Sequence, residues 1–132
     1  MIVKFRKINE HVKTPIKSTD GAAGFDLFNS GKTVVIHPGE TNPISTGIQM
    51  EIPKGYAGFI YARSGLGCKH GIVPSNCVGV IDSDYRGEII VYLHFIAVSK
   101  LCSGLRRDLG PTNCSRTFKS EDHGGFVLTR DV

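Results

Sequence analysis

Apolar and polar residues alternate with period two in short stretches of the first 95 residues, and no long window carries apolar residues at helical spacing. Ile2 to Ile8 alternates apolar with polar, largely basic, positions and predicts a strand. Gly24 to Phe28 predicts a short strand with Asp26 on the face opposite Phe25 and Leu27. Thr33-Val34-Val35-Ile36 is β-branched and reads as a buried strand. Ile48, Met50 and Ile52 alternate with Gln49 and Glu51, which predicts a half-buried strand ending at Pro53-Lys54-Gly55. Tyr56 to Ala62 is the next strand, and Ile89 to Phe95 is a strongly apolar one. Thr14 to Gly21 reads as loop, broken by Pro15. Asn29-Ser30-Gly31 and His37-Pro38-Gly39-Glu40 read as turns, and Ser64 to His70 has room for one helical turn. Many short strands punctuated by glycine and proline predict an all-β barrel or sandwich.

The stretch Gly79 to Ile89 reads as a hairpin: an apolar strand end, a polar turn and a second strand leaving. Gly79 and Gly87 bracket it, and each permits backbone angles that other residues resist. Between them sit the carboxylates of Asp82 and Asp84, the ring of Tyr85 and the guanidinium of Arg86. Upstream, Arg63-Ser64-Gly65 follows a strand and offers a fork of donors, a hydroxyl and an unobstructed N–H, a set suited to phosphate oxygens.

Three patterns stand in order: Ala23-Gly24-Phe25-Asp26-Leu27, then Arg63-Ser64-Gly65, then Gly79 to Glu88 with Asn76 before it. In order and spacing this resembles the trimeric dUTP diphosphatases (dUTPases), over roughly the first seventy per cent of the chain; linked motifs are far more specific than any single one. The resemblance implies a distorted jelly-roll assembled as a homotrimer with sites shared between subunits. It implies hydrolysis of dUTP to dUMP and pyrophosphate, which limits uracil in DNA and supplies dUMP for thymidylate synthesis. By the same resemblance Asp82 is the catalytic carboxylate, orienting the attacking water. Arg63, Ser64 and the N–H of Gly65 meet the phosphates, from a neighbouring subunit. Asn76 and the backbone around Val80 and Ile81 read the uracil edge, Tyr85 lies under the sugar and excludes a 2′-hydroxyl, and Phe126 stacks on the base from the tail. Asp26 holds Mg²⁺ through a water.

Simpler readings stand beside these. Asp82 fits an Asx-turn cap of its own hairpin, and Asp26 a turn aspartate. Arg63 fits a structural ion pair with Asp82, Asp84 or Glu88, and Tyr85 a plain hairpin aromatic. His70 and His123 read as structural or solvated.

The last quarter departs from the family pattern. Gly104-Leu105-Arg106-Arg107-Asp108-Leu109 stands where a G-x-R-I-A-Q-L motif is expected, and Gln49 is the chain's only glutamine. In the tail Gly124-Gly125-Phe126 is kept, but Glu121 stands for an arginine and Val127 for a glycine, with Arg130 out of register. A tail so altered is expected to close poorly, giving weak hydrolysis that changes only modestly when Glu121 to Val132 is deleted. Two alternatives follow: a catalytically impaired trimer that binds nucleotide or a partner, and a dCTP deaminase-type relative, for which Glu88 is the nearest acid.

Composition narrows the setting. A length of 132 residues predicts one domain, 1–132, with a family-like core at 1–95 and a divergent segment at 96–132. The net charge of +4 is dispersed without a polybasic run, which argues against nucleic-acid and membrane partners. The four cysteines, Cys68, Cys77, Cys102 and Cys114, lack C-x-x-C spacing and read as free thiols in a reducing compartment. The N-terminus lacks the apolar core of a signal peptide, so the expected location is the cytoplasm, or the nucleus in a eukaryote.

Overall fold

The computed structural model of the chain describes residues 2–96 and, as backbone, residues 116–118 and 123–127. The Gly104–Leu109 segment, Glu121 and Arg130 lie outside the described residues. In chain order the strands are β1 (Lys4–Lys7), β2 (Phe25–Phe28), β3 (Val34–Ile36), β4 (Thr41–Ser45), β5 (Ile48–Glu51), β6 (Gly58–Ile60), β7 (Ile72–Pro74), β8 (Gly79–Ile81), β9 (Ile90–Phe95), β10 (Arg116–Phe118) and β11 (His123–Val127). One helix, α1 (Ser64–His70), lies between β6 and β7. The described part is all-β apart from that helix, as the alternation predicts. Among the described residues no helix is long and apolar enough to cross a membrane.

The strands form four small antiparallel sheets: β1-β5, β10-β3, β2-β11-β6-β8 and β4-β9-β7. Their inward faces meet in one core built of Leu27, Ile36, Ile44, Ile48, Met50, Ile60, Ile81, Val91, Leu93 and Phe95, among others. Truncating a side chain as enclosed as Phe95, which is 0% exposed, to alanine costs about 3–5 kcal/mol. β9 obeys the period-two rule strictly. Val91, Leu93 and Phe95 point inward, while Ile90 and Tyr92 stay exposed. Of its outward residues Ile90 is apolar and Tyr92 aromatic, with His94 the polar one, which is why the stretch reads as strongly hydrophobic.

Several expectations change. The predicted hairpin at 79–89 is not one: β8 pairs with β6, whereas β9 pairs with β4 and β7. The chain therefore crosses from one sheet to another over residues 82–89, and its two arms stand apart. Neither Gly79 nor Gly87 adopts a positive φ; among the described residues the glycines that do are Gly39, Gly47, Gly55 and Gly71. Gly79 and Gly87 are needed for close approach instead. A Cβ on Gly79 would lie 3.0 Å from the Cβ of Ile60, and one on Gly87 would lie 2.5 Å from the Tyr85 hydroxyl. In β3 only Ile36 is fully buried, and Val35 is exposed. The single helical turn expected at 64–70 is a seven-residue helix closed by Gly71 at φ +66°, whose N–H bonds the Gly67 carbonyl at 3.1 Å. Four strands went unread, β10 and β11 in the divergent segment among them. β4 contains Pro43, which argues against a strand, but β4 is an edge strand, where proline is tolerated. β7 is three residues long and ends on Pro74.

Candidate functional site

The parted arms enclose a cleft of about 350 Å³, within the size range of small-molecule sites. One wall carries Asn76, Gly79, Val80, Ile81, Asp82 and Tyr85, and the other Glu88, Ile90 and Tyr92. Five residues singled out in the sequence thus meet in one cavity: Asn76, Val80, Ile81, Asp82 and Tyr85. Asp82 also lines a wider hollow of about 830 Å³, formed with Glu51 to Ala57, Ser83, Asp84 and Arg86. Its carboxylate stands at the junction of the two and is exposed.

The loop is held by its backbone, not by that carboxylate. Tyr85 N–H donates to the Asp82 carbonyl at 3.1 Å, closing the turn. Arg86 Nη1 donates to the carbonyls of Ser83 at 2.7 Å and Tyr85 at 2.9 Å. The Asp82 carboxylate has no hydrogen bond or ion pair among the described residues, so the Asx-cap reading does not hold. The Tyr85 ring lies against Gly87, and its hydroxyl donates to the Glu88 carbonyl at 2.8 Å. Packing and one hydrogen bond together fix the ring's direction.

Sequence reasoning missed the anchor of the far arm. Ser45, at the end of β4, and Gly47, in the β4–β5 turn, both donate to Glu88 Oε1, the latter through its N–H at 2.8 Å. Thr46, buried in the same turn, donates its hydroxyl to the Ile89 carbonyl at 2.6 Å. Gly47 sits at φ +67°, and a Cβ there would come within 2.3 Å of Val12, so only glycine fits. Glu88 is thus a structural acceptor at the cleft edge.

The remaining candidates gather elsewhere. Arg63 Nη1 lies 3.3 Å from Asp26 Oδ2, so its ion-pair partner is Asp26 and not Asp82, Asp84 or Glu88. Ser18, which the sequence did not flag, donates to the same Asp26 Oδ2 at 2.5 Å and accepts from Arg63 Nη2 at 3.2 Å. Asp26 is nearly enclosed, with 12% of its side chain exposed, while Arg63 is 36% exposed. Ser64 and Gly65 open α1 directly after Arg63, and Arg63 supplies no side-chain cap there. None of these residues lines the cleft of their own chain. Phe126 falls in β11, whose backbone is paired on one side with β2, opposite Phe25, and on the other with β6, opposite Ile60. That differs from a segment free to fold over a ligand.

Comparison with known proteins adds to this geometry. The family model dUTPase matches residues 10–99. A deoxyuridine 5'-triphosphate nucleotidohydrolase of Nautilia profundicola is 50% identical over 93 residues, covering 70% of this chain and 65% of that protein. The protein of the same name from Hydrogenobaculum sp. is 48% identical over 88 residues, covering 67% of this chain and 61% of its own. The chain therefore spans less than two thirds of the length of these curated relatives. Among solved structures, a point mutant of the dUTPase from Staphylococcus aureus phage phi11 superposes with a TM-score of 0.82 at 23% identity, covering 100% of this chain and 92% of that one. That likeness gives the fold: the all-β dUTPase architecture.

Proposed function

The chain belongs to the dUTPase family, and from that premise we propose that it hydrolyses dUTP to dUMP and pyrophosphate. The observation that carries the reading is the Asp82 carboxylate: without a partner among the described residues, at the mouth of a nucleoside-sized cleft. A positioned base needs a free acceptor beside the reacting atom, and a carboxylate already capping a turn could not serve. In this reading the nucleoside enters the cleft and the phosphates lie across the wider hollow. Asp82 orients the water that attacks the α-phosphorus. Asn76 and the backbone at Val80 and Ile81 meet the uracil edge, where fixed donors and acceptors separate it from cytosine. The Tyr85 ring, unable to retreat past Gly87, walls off the 2′ position.

Arg63, Ser64 and Gly65 are proposed to serve the phosphates of a neighbouring subunit's nucleotide in a homotrimer. Their absence from the cleft of their own chain supports a shared site. Mg²⁺ is the proposed cofactor, and the phage phi11 dUTPase coordinates a structural Mg(II) ion. Magnesium keeps most of its waters and takes few protein ligands, and Asp26 fits it, since both internal contacts go to Oδ2 and leave Oδ1 for a metal-bound water. When bound, the ion neutralises phosphate charge and shapes the triphosphate. For Phe126 a stacking role requires β11 to leave its sheet.

Glu88 argues against a deaminase, because its Oε1 already accepts two hydrogen bonds. A second reading, a trimer that binds nucleotide but turns it over weakly, is favoured by the two-sided pairing of β11. Assays of pyrophosphate and of ammonia release with dUTP, dCTP and UTP decide among them. Selective release from dUTP is the expected result, and ammonia released from dCTP would overturn the proposal.

A further inference from the structure

We propose that Ser18 is a positioning residue: it fixes the Asp26 carboxylate so that one oxygen stays open toward a metal-bound water. The inference rests on the dUTPase reading of Asp26. Ser18 lies on the loop before β2. An antiparallel bridge pins that loop, with Ile16 N–H on the Asp26 carbonyl at 3.2 Å and Asp26 N–H on the Ile16 carbonyl at 2.7 Å. The turn that follows is closed by Ala22 N–H on the Thr19 carbonyl at 3.0 Å. These backbone bonds bring the Ser18 hydroxyl within reach of the carboxylate.

The bond directions then matter. Ser18 donates its one proton to Asp26 Oδ2 and receives Arg63 Nη2, while Arg63 Nη1 faces the same Oδ2. Three groups close a ring in which every contact to Asp26 falls on one oxygen. Oδ1 has no partner among the described residues. A carboxylate torsion is broad and nearly two-fold when free; here the hydroxyl and the guanidinium select one setting. Arg63 uses two of its five donors in the ring, which leaves the others for an anion. Arg63 cannot do the positioning alone, because a phosphate would draw it away from Asp26. Ser18 keeps its grip on Oδ2 when that happens. Groups that orient a ligand by hydrogen bonding typically matter about ten- to a hundredfold for metal affinity, and a contact through water falls at the low end of that range.

The test is Mn²⁺ binding by electron paramagnetic resonance in the presence of α,β-imido-dUTP, on wild type, Ser18→Ala and Ser18→Thr. Ser18→Ala should bind Mn²⁺ about tenfold more weakly. Ser18→Thr, which keeps the hydroxyl, should match wild type. Nucleotide affinity in EDTA should be the same for all three, because the cleft does not touch Ser18. Unchanged Mn²⁺ affinity in Ser18→Ala would overturn the inference. So would an equal loss in EDTA, or loss of folding, since an exposed loop residue that only positions a carboxylate leaves the core intact. If wild type itself binds no metal–nucleotide complex, the dUTPase reading fails, and that result is visible before any variant is compared.

Discussion

The cleft between β8 and β9 and the ring formed by Ser18, Asp26 and Arg63 are built on opposite plans. In the cleft the functional groups point outward unpaired: Asp82 has no partner among the described residues, and the Tyr85 ring is fixed from behind by Gly87 and the Glu88 carbonyl. In the ring the groups satisfy one another, with a cation, a hydroxyl and a carboxylate closed into one network. The first region is ready for a ligand as it stands. The second is neutralised until a ligand competes for Arg63. A neutral, flat base needs shape and fixed backbone polarity, which a rigid cleft supplies at no reorganisation cost. A site for a highly charged phosphate chain carries unbalanced positive charge when empty, and an internal counter-charge relieves it until substrate arrives.

Perturbing what joins the two regions should have the largest effect. In the sheet order β2-β11-β6-β8, β11 lies between the strand that carries Asp26 and the strands that lead into the cleft. Deleting residues 121–132 should therefore unfold or loosen both halves, where the sequence alone led us to expect a modest change in catalysis. A fall in Tm of more than about 10 °C is expected by calorimetry, since each kcal/mol is worth roughly 4 °C at this size. A fall of only a degree or two would mean that β11 does not tie the halves together.

Asp82→Asn comes next. It should keep the wild-type Tm and reduce kcat for dUTP about a hundredfold or more, the usual consequence of losing a positioned base. Wild-type turnover in this variant would make Asp82 structural. Third, the separateness of the regions can be tested by mixing inactive Asp82→Asn and Arg63→Ala chains after co-refolding. Activity should partly return, because one shared site can combine both intact halves; a monomer by sedimentation would break the comparison at its root.

Gly87→Ala probes the cleft's rigidity. The added Cβ meets the Tyr85 hydroxyl at 2.5 Å, so the ring must move. Stability should fall by about 1–3 kcal/mol, and the preference for dUTP over UTP should weaken in parallel kinetic assays. Tyr85→Phe should do least: losing an exposed hydrogen bond costs about 0.5–1 kcal/mol, and the preference should persist because Gly87 still holds the ring. A collapse of the preference would show that the hydroxyl, not the packing, sets the wall.

What the sequence displayed was local. Ile48, Met50 and Ile52 announced β5, and Val91, Leu93 and Phe95 announced β9, because a pleat turns burial into alternation. Asn76, Val80, Ile81, Asp82 and Tyr85 were legible as a group because one short stretch carries them. Pairing partners were not legible. Two consecutive strands with a polar turn look the same whether they pair with each other or, like β8 and β9, with different sheets. The purposes of Gly79 and Gly87 were misread for the same reason, since the Ile60 side chain is distant in sequence and close approach leaves no local mark. Ser18, 45 residues from Arg63, and Glu88, 43 residues from Ser45, are ordinary polar residues until the fold brings them to their partners.

The position of β11 also bears on how the molecule comes to exist. Its strand is laid between β2 and β6, yet it follows them by 95 and 63 residues of chain. During synthesis the pairing edges of β2 and β6 stand open until the ribosome has passed Val127, and open edges are templates for pairing with other chains. Contacts so distant along the chain also form slowly. Nascent chains stalled before residue 123 should therefore be the aggregation-prone species, and the docking of β11 should act as the step that commits the sheet to its own partners rather than to a neighbour's.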